Sequence, residues 1–364
     1  MLEKNPSNFM CFISQLPVIA SRFLAMSKTS YDTVVEAVQF KETNWIPVIP
    51  IVGLYSMNIS GLSPNEILHD SEKQAKSQLA CQSRFNYDGI FNVMDLSVEA
   101  QTLGAEVEFP TNSFPYLKSH PLDHPERFDK IPSLEVKSTR LSVFTDTINR
   151  IAEKTKRELY ISSYVIGPFT LAGHLLGIDD LMELTVEDEE TTASLVAHCA
   201  KVVEPYIEAQ VEAGTDNIVI LEPSASSSLI SPRFFEMFSF QNVKSLVSRI
   251  HNLGVGATLH ICGKTSRILE MMCETGADVL SIDSPVTISK AMKLIEKRAC
   301  LMGNVDTTLM IEGTSEEVAL AADACIEVAG NSGGFILSTS CDMPIEVPEV
   351  NLLSLVESSL HRRS

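Results

Sequence analysis

Residues 213–221 read Ala213-Gly214-Thr215-Asp216-Asn217-Ile218-Val219-Ile220-Leu221. A glycine closes an amphipathic stretch, polar residues follow, and an unbroken apolar run begins. That order is what a helix ending in left-handed geometry and feeding the next strand requires. The same punctuation stands at Tyr87-Asp88-Gly89, Gly276-Ala277-Asp278 and Gly333-Gly334. Short apolar runs alternating with longer amphipathic stretches are the mark of repeated βα units around a parallel sheet.

Working outward, eight runs qualify as strands: 47–52 (PVIPIV), 89–94 (GIFNVM), 159–166 (LYISSYVI), 217–221 (NIVIL), 256–261 (GATLHI), 278–282 (DVLSI), 300–303 and 334–338 (GFILS). Eight is a barrel count, so the expected fold is α/β, a single (β/α)8 TIM barrel over residues 26–364. Between the second and third strands the connection 104–158 carries Pro110, Pro115, Pro121, Pro125 and Pro132 in its first half. Prolines at that density break helices, which predicts a proline-rich loop insertion followed by a helix from about residue 133. In that helix Leu141, Phe144, Ile148 and Ile151 recur at helical spacing. No linker or composition shift marks a second domain.

Residues 1–25 are expected to be an N-terminal arm or an extension upstream of a start at Met26. Their apolar runs 9–13 and 16–20 are interrupted by Ser14-Gln15 and preceded only by Lys4, which fits a secretory leader poorly. No window approaches the roughly 18–20 unbroken apolar residues of a membrane span.

The chain has 364 residues, 45% of them hydrophobic and 21% charged, which is enough apolar material for a large core and excludes general disorder. Its 47 acidic against 28 basic residues give a formal charge of −19. That excess repels phosphate backbones and anionic headgroups alike, so neither nucleic acid nor a membrane surface is expected as a partner. The eight cysteines are scattered through apolar stretches, unlike a dense disulfide framework, which points to a reducing cytoplasm.

Catalytic groups of such barrels come from the C-terminal ends of strands. The fifth expected strand ends in His260-Ile261-Cys262-Gly263-Lys264. In extended backbone residues i and i+2 point to the same side, so His260 and Cys262 can converge on one atom while Ile261 packs the other way. Imidazole with thiolate describes a borderline-soft metal, chiefly zinc. Cys341 stands just past the eighth strand and supplies a third donor. Glu222, at the end of the fourth, could complete a tetrahedron or simply cap the following turn. Asp95, after the second strand, could orient a substrate or cap a helix. Asp283 and Asn304, after the sixth and seventh, are candidate cofactor contacts with Lys264, although turn formation explains the first two. His174 reads as a packed histidine, and Gly263-Lys264-Thr265 lacks the earlier glycine of a phosphate loop.

The strings LHICGK (259–264), LEPSASSSLISP (221–232), GNVDT (303–307) and ILSTSCDMPIEVPEVNLLSLVE (336–357) resemble those of the uroporphyrinogen decarboxylase superfamily, and within it the corrinoid-dependent methylcobamide:coenzyme M methyltransferases. The resemblance runs from about Met26 to Arg362. It implies a zinc ion held by His260, Cys262, Cys341 and a displaceable Glu222, a methylcobamide carried by a separate corrinoid protein, and a thiol acceptor such as coenzyme M. Asp95 matches the aspartate that the decarboxylases use on pyrrole nitrogens. The arginine-rich segment with which they hold a polyacidic porphyrinogen is missing from 47–57, so decarboxylation is not expected. Two other outcomes remain open at this point: a corrinoid-protein partner without turnover, and a relative of cobalamin-independent methionine synthase, whose second barrel this length does not accommodate.

Overall fold

Seven parallel strands form the sheet of the computed structural model, which describes residues 28–111, 113–330 and 332–360. In chain order the strands are β1 (Gly89–Phe91), β2 (Val107–Glu108), β3 (Tyr116–Leu117), β4 (Tyr160–Ile166), β5 (Asn217–Leu221), β6 (Gly256–Ile261), β7 (Val279–Ile282), β8 (Cys300–Val305) and β9 (Phe335–Thr339). The parallel sheet runs β1-β4-β5-β6-β7-β8-β9 and curls on itself, while β2 and β3 make a separate antiparallel ribbon. The expected arm 1–25 lies outside the described residues.

The expected first strand, 47–52, is not a regular strand. Only Val48 bridges in parallel to Leu337. The Ile49 amide donates to Leu337 O at 2.9 Å, Leu337 N to Pro47 O at 2.9 Å, and Asp88 N to Val48 O at 2.8 Å. This one segment is therefore bonded to both outer edges of the sheet, beside β9 and just ahead of β1. Pro47 and Pro50 lack the N–H that a continuous ladder needs, which is why a stave of the sheet is irregular here.

Between β1 and β4 the proline-rich stretch forms the β2–β3 ribbon and the 3-10 helix Pro125–Lys130. The helix expected from about residue 133 begins instead at Leu141 and runs to Thr155, burying Leu141, Phe144, Ile148 and Ile151 as its spacing predicts. The residues before it are held in turns by local bonds such as Thr139 Oγ1 to Glu135 O at 2.6 Å.

Strand alternation sorts the core into two layers. Ile49, Ile51, Phe91, Tyr164, Val219, Leu221, Val279, Met302 and Ile336 fill the interior of the curl. Ile218, Ile220, Leu259 and Ile261 belong to the layer between sheet and helices. Because Leu221 pairs with His260 in register, His260 shares the inward parity and stands at the C-terminal rim of the interior. No helix among the described residues is long and apolar enough to cross a membrane.

Candidate metal centre

His260 is the next-to-last residue of β6, Cys262 lies just beyond that strand, and Cys341 lies two residues beyond β9. Parity turns His260 and Cys262 to one side, and the neighbouring loop carries Cys341 over them. His260 Nε2 is 3.1 Å from Cys262 Sγ, the two sulfurs are 3.4 Å apart, and Cys341 Sγ is 3.8 Å from Nε2. These three residues are the group of donor atoms among the described residues that could hold a metal ion. Tetrahedral zinc, with bonds of about 2.0–2.3 Å to nitrogen and sulfur, sets donors roughly 3.6–3.8 Å apart, so small outward movements would suit the trio to the ion. The sulfurs are far from the ~2.05 Å of a disulfide.

The electrostatics of the trio call for a cation. The hydrogen-bond contact with Cys262 Sγ, followed by burial, pushes the Cys341 thiol up from its ordinary range. Burial works against a protonated His260, but Cys341, Asp283 and Asp342 outweigh it and hold the imidazole above its ordinary value. On the far side of the ring, Nδ1 lies 2.9 Å from Ser281 Oγ, the residue directly across in β7. A partner on one ring nitrogen fixes the orientation of the other, as around metal-bound histidines generally.

Glu222 does not join the trio. It pairs with the parity of Ile261 and so faces the helix layer, where it is fully buried. Its Oε1 accepts from Phe169 N and Ser239 Oγ, and its Oε2 from Thr170 N, all at 2.9 Å. The carboxylate thus caps the helix Pro168–Leu176 at its amide-rich end, the favourable place for a negative charge. A Cβ on Gly167 would overlap it. The tetrahedron expected from sequence is corrected in this respect: alternation points Glu222 the other way.

Asp95 is also engaged. Its Oδ2 meets Arg140 Nη1 at 2.5 Å, and its Oδ1 accepts from Ser97 N at 2.9 Å and Ser97 Oγ at 2.6 Å. Arg140 further donates from Nε to Gln101 Oε1 at 2.7 Å and lies over the rings of Phe109 and Phe144. Both side chains are almost wholly buried, 8% and 0% exposed. Asp283 accepts from Gly263 N and Ser284 N at 2.7 Å each, tying the loop after β7 to the one after β6. Asn304 Nδ2 donates to Asp283 O at 3.0 Å and Val286 O at 2.6 Å. Lys264 is exposed, with its backbone amide on Ser228 Oγ. His174 is packed as expected, and burial brings its pKa down to about 4.

Sequence reasoning missed four groups. Ser281 was findable by aligning the sixth strand with the fifth. Asp342 follows Cys341 directly; both its carboxylate oxygens are sealed from solvent and without a hydrogen-bond partner among the described residues. The Tyr164 hydroxyl, in the interior between β4 and the trio, is likewise buried and unpartnered. Nothing local announces Arg140, which comes from 45 residues beyond Asp95.

A curled parallel sheet with a histidine and two cysteines converging at the C-terminal ends of its strands presents a group of soft donors that could hold a metal ion in a barrel-like α/β scaffold. The chain belongs to the uroporphyrinogen decarboxylase (URO-D) family, whose signature matches residues 29–361. Methylcobamide:CoM methyltransferase MtbA of Methanosarcina acetivorans is 31% identical over 303 residues, 83% of this chain and 88% of that protein. Methylcobamide:CoM methyltransferase MtaA of Methanosarcina barkeri is 26% identical over 329 residues, 88% and 94% of the two chains. Among solved structures, a methyltransferase from Methanosarcina mazei shares the fold with a TM-score of 0.85 at 24% identity, covering 92% of this chain and 99% of that one.

Proposed function

We propose that this protein is a zinc-dependent methyltransferase that moves a methyl group from a methylated corrinoid protein to a thiol acceptor, coenzyme M or a similar small thiol. The convergence of His260, Cys262 and Cys341 within 3.8 Å carries the reading. Its support is the chemistry of that donor set and the names of the methyltransferases to which the chain is similar. Zinc, when bound, lowers the pKa of a thiol so that the sulfur is a nucleophile at neutral pH.

The chain's own residues do the remaining work. Cys262 and Cys341 supply negative charge that keeps the metal site from withdrawing electron density from the acceptor sulfur. Ser281 holds the His260 ring. Ile51, Phe91, Met94 and Val219 make the apolar floor beneath it, which excludes competing water. A methylated corrinoid presented at this rim would supply the methyl group, which would pass to the acceptor sulfur once that thiol has given its proton to solvent, the carbon–sulfur bond forming as the carbon–cobalt bond breaks with its electron pair kept by the corrinoid. Lys264, exposed beside the trio, is the candidate contact for the incoming corrinoid, with Asp283 and Asn304 ordering the loops around it. A reducing, cytoplasmic setting suits thiols that must remain free.

Decarboxylation is disfavoured, because Asp95 is occupied by Arg140 rather than open to a pyrrole. Metal analysis of purified protein, with methylcobalamin demethylation measured with and without thiols, tests the proposal. About one zinc per chain and thiol-dependent demethylation are expected, both lost in Cys262→Ala. Absence of stoichiometric zinc, or a Cys262→Ala variant that keeps both zinc and methyl transfer, would sink it. Zinc without turnover would leave a corrinoid-protein partner.

A further inference from the structure

A cavity of about 210 Å³ lies under the proline-rich stretch between β3 and the helix Leu141–Thr155. It shares no lining residue with the cavity at His260. Its floor is Leu103, just past the helix Val98–Thr102, Leu175 in the last turn of the helix Pro168–Leu176, and Leu122 and Ile131 from the stretch itself. Pro121 and Pro132 join this lining, and a proline contributes a rigid apolar face and no amide donor.

The walls are pinned to neighbouring helices. Leu122 N donates to Leu175 O at 2.9 Å, His120 Nδ1 lies 2.8 Å from His174 O, and Leu134 N donates to Val202 O at 3.2 Å. His198 Nε2, 2.9 Å from Ile131 O, ties the stretch to the helix Glu189–Val202. The space is therefore preformed, and a preformed, mostly apolar concavity with a few polar groups is the ordinary form of a small-molecule site.

Charge gives the cavity its preference. Asp123, Arg127 and Lys130 line it and are exposed. Arg127 and Lys130 stand three apart on the 3-10 helix Pro125–Lys130, where residues i and i+3 eclipse, so both cations project from one side. Neither is ion-paired among the described residues. The chain carries 47 acidic against 28 basic residues, yet here two cations accompany one carboxylate. Paired cations over an apolar floor favour an anion with a hydrophobic body.

We propose that this cavity is a binding site for a small amphipathic carboxylate, its apolar body seated on the leucines and its carboxylate held by Arg127 and Lys130. Size sets the class: a cavity of ~150 Å³ accepts benzene, so about 210 Å³ accommodates one ring with a short acidic side chain. Because no lining residue is shared with the cavity at the metal trio, the proposal stands or falls apart from the methyl-transfer reading.

Phenylacetate, phenylacetamide and 2-phenylethylamine keep the ring and change the head from anion to neutral amide to cation. Each is titrated against the full chain and followed by ligand-observed NMR. Phenylacetate is expected to bind with a Kd of about 1 mM or lower. It should bind roughly 5- to 30-fold more tightly than the amide, the range for two partly solvated cations, with the amine weaker still. Rising salt should weaken the carboxylate and spare the amide. Arg127→Gln/Lys130→Gln changes exposed side chains only, and should bring phenylacetate down to the affinity of the amide. A carboxylate can also ligate zinc, so Cys262→Ala is the control for the metal rim, and phenylacetate binding should persist in it. No saturable binding up to about 5 mM, an amide that binds as tightly, a ratio unchanged in the double variant, or binding lost in Cys262→Ala overturns the proposal. Should the double variant fail to fold, the head-group series on the unaltered chain and its salt dependence decide.

Discussion

Replacing Arg140 with methionine removes the cation paired with Asp95 where the Asp95 side chain has no exposure to water. The substitution deletes the 2.5 Å ion pair, the bond to Gln101 at 2.7 Å and the stacking over Phe109 and Phe144, and it leaves Asp95 with Ser97 alone as donor. Breaking a buried pair from one side costs about 3–5 kcal/mol, most of it the desolvation of the abandoned partner. Urea unfolding followed by far-UV circular dichroism should therefore show the midpoint falling by that equivalent at constant slope. The double variant Arg140→Met/Asp95→Asn, which also withdraws the stranded charge, should be more stable than Arg140→Met alone. A loss below about 1 kcal/mol in the single variant, or a double variant no better than it, would refute the view of Asp95 as an internal structural anion.

Two further outcomes follow from the buried carboxyls. Glu222→Ala strands Phe169 N, Thr170 N and the Ser239 hydroxyl, so a stability loss of roughly 2–4 kcal/mol is expected with zinc content unchanged; zinc lost in parallel with Glu222 would make it a ligand after all. Burial raises the Glu99 carboxyl to about 8, even though its Oε1 accepts from Ile166 N. The folded state then binds more protons than the unfolded one between the ordinary carboxyl range and about pH 8, so stability falls across that window by up to about 1.4 kcal/mol per pH unit. Glu99→Gln, whose amide oxygen can still accept from Ile166, should flatten the slope, and an unchanged pH profile would show that Glu99 is not the group responsible.

Much of the sheet was legible because its strands are continuous apolar runs closed by glycine, and β4 to β9 fall within a residue or two of their expected starts. The metal trio was legible for a related reason: an i, i+2 pair at a strand end has its geometry set by the pleat. The segment 47–52 misled because its apolar content is that of a strand while its prolines withhold the amides, and hydropathy does not register a missing N–H. Glu222 misled because position at a rim was weighed without parity; counted along β5 from Leu221, it falls on the helix side. Arg140 was beyond reach, since only the folded chain brings it to Asp95.

The irregular segment at 47–52 also bears on the order in which the molecule can be assembled. Its bonds to β9 join residues about 290 positions apart, Leu337 N to Pro47 O at 2.9 Å and Ile51 N to Thr339 Oγ1 at 3.1 Å among them. Contacts of that span are the slow ones to form, and at about 5–20 residues per second a ribosome spends roughly 15–60 s between making the two halves of this seam. During that interval the apolar run 47–52 has no partner on its β9 side. Its two prolines, which spoil it as a strand, also make it a poor template for pairing with another nascent chain.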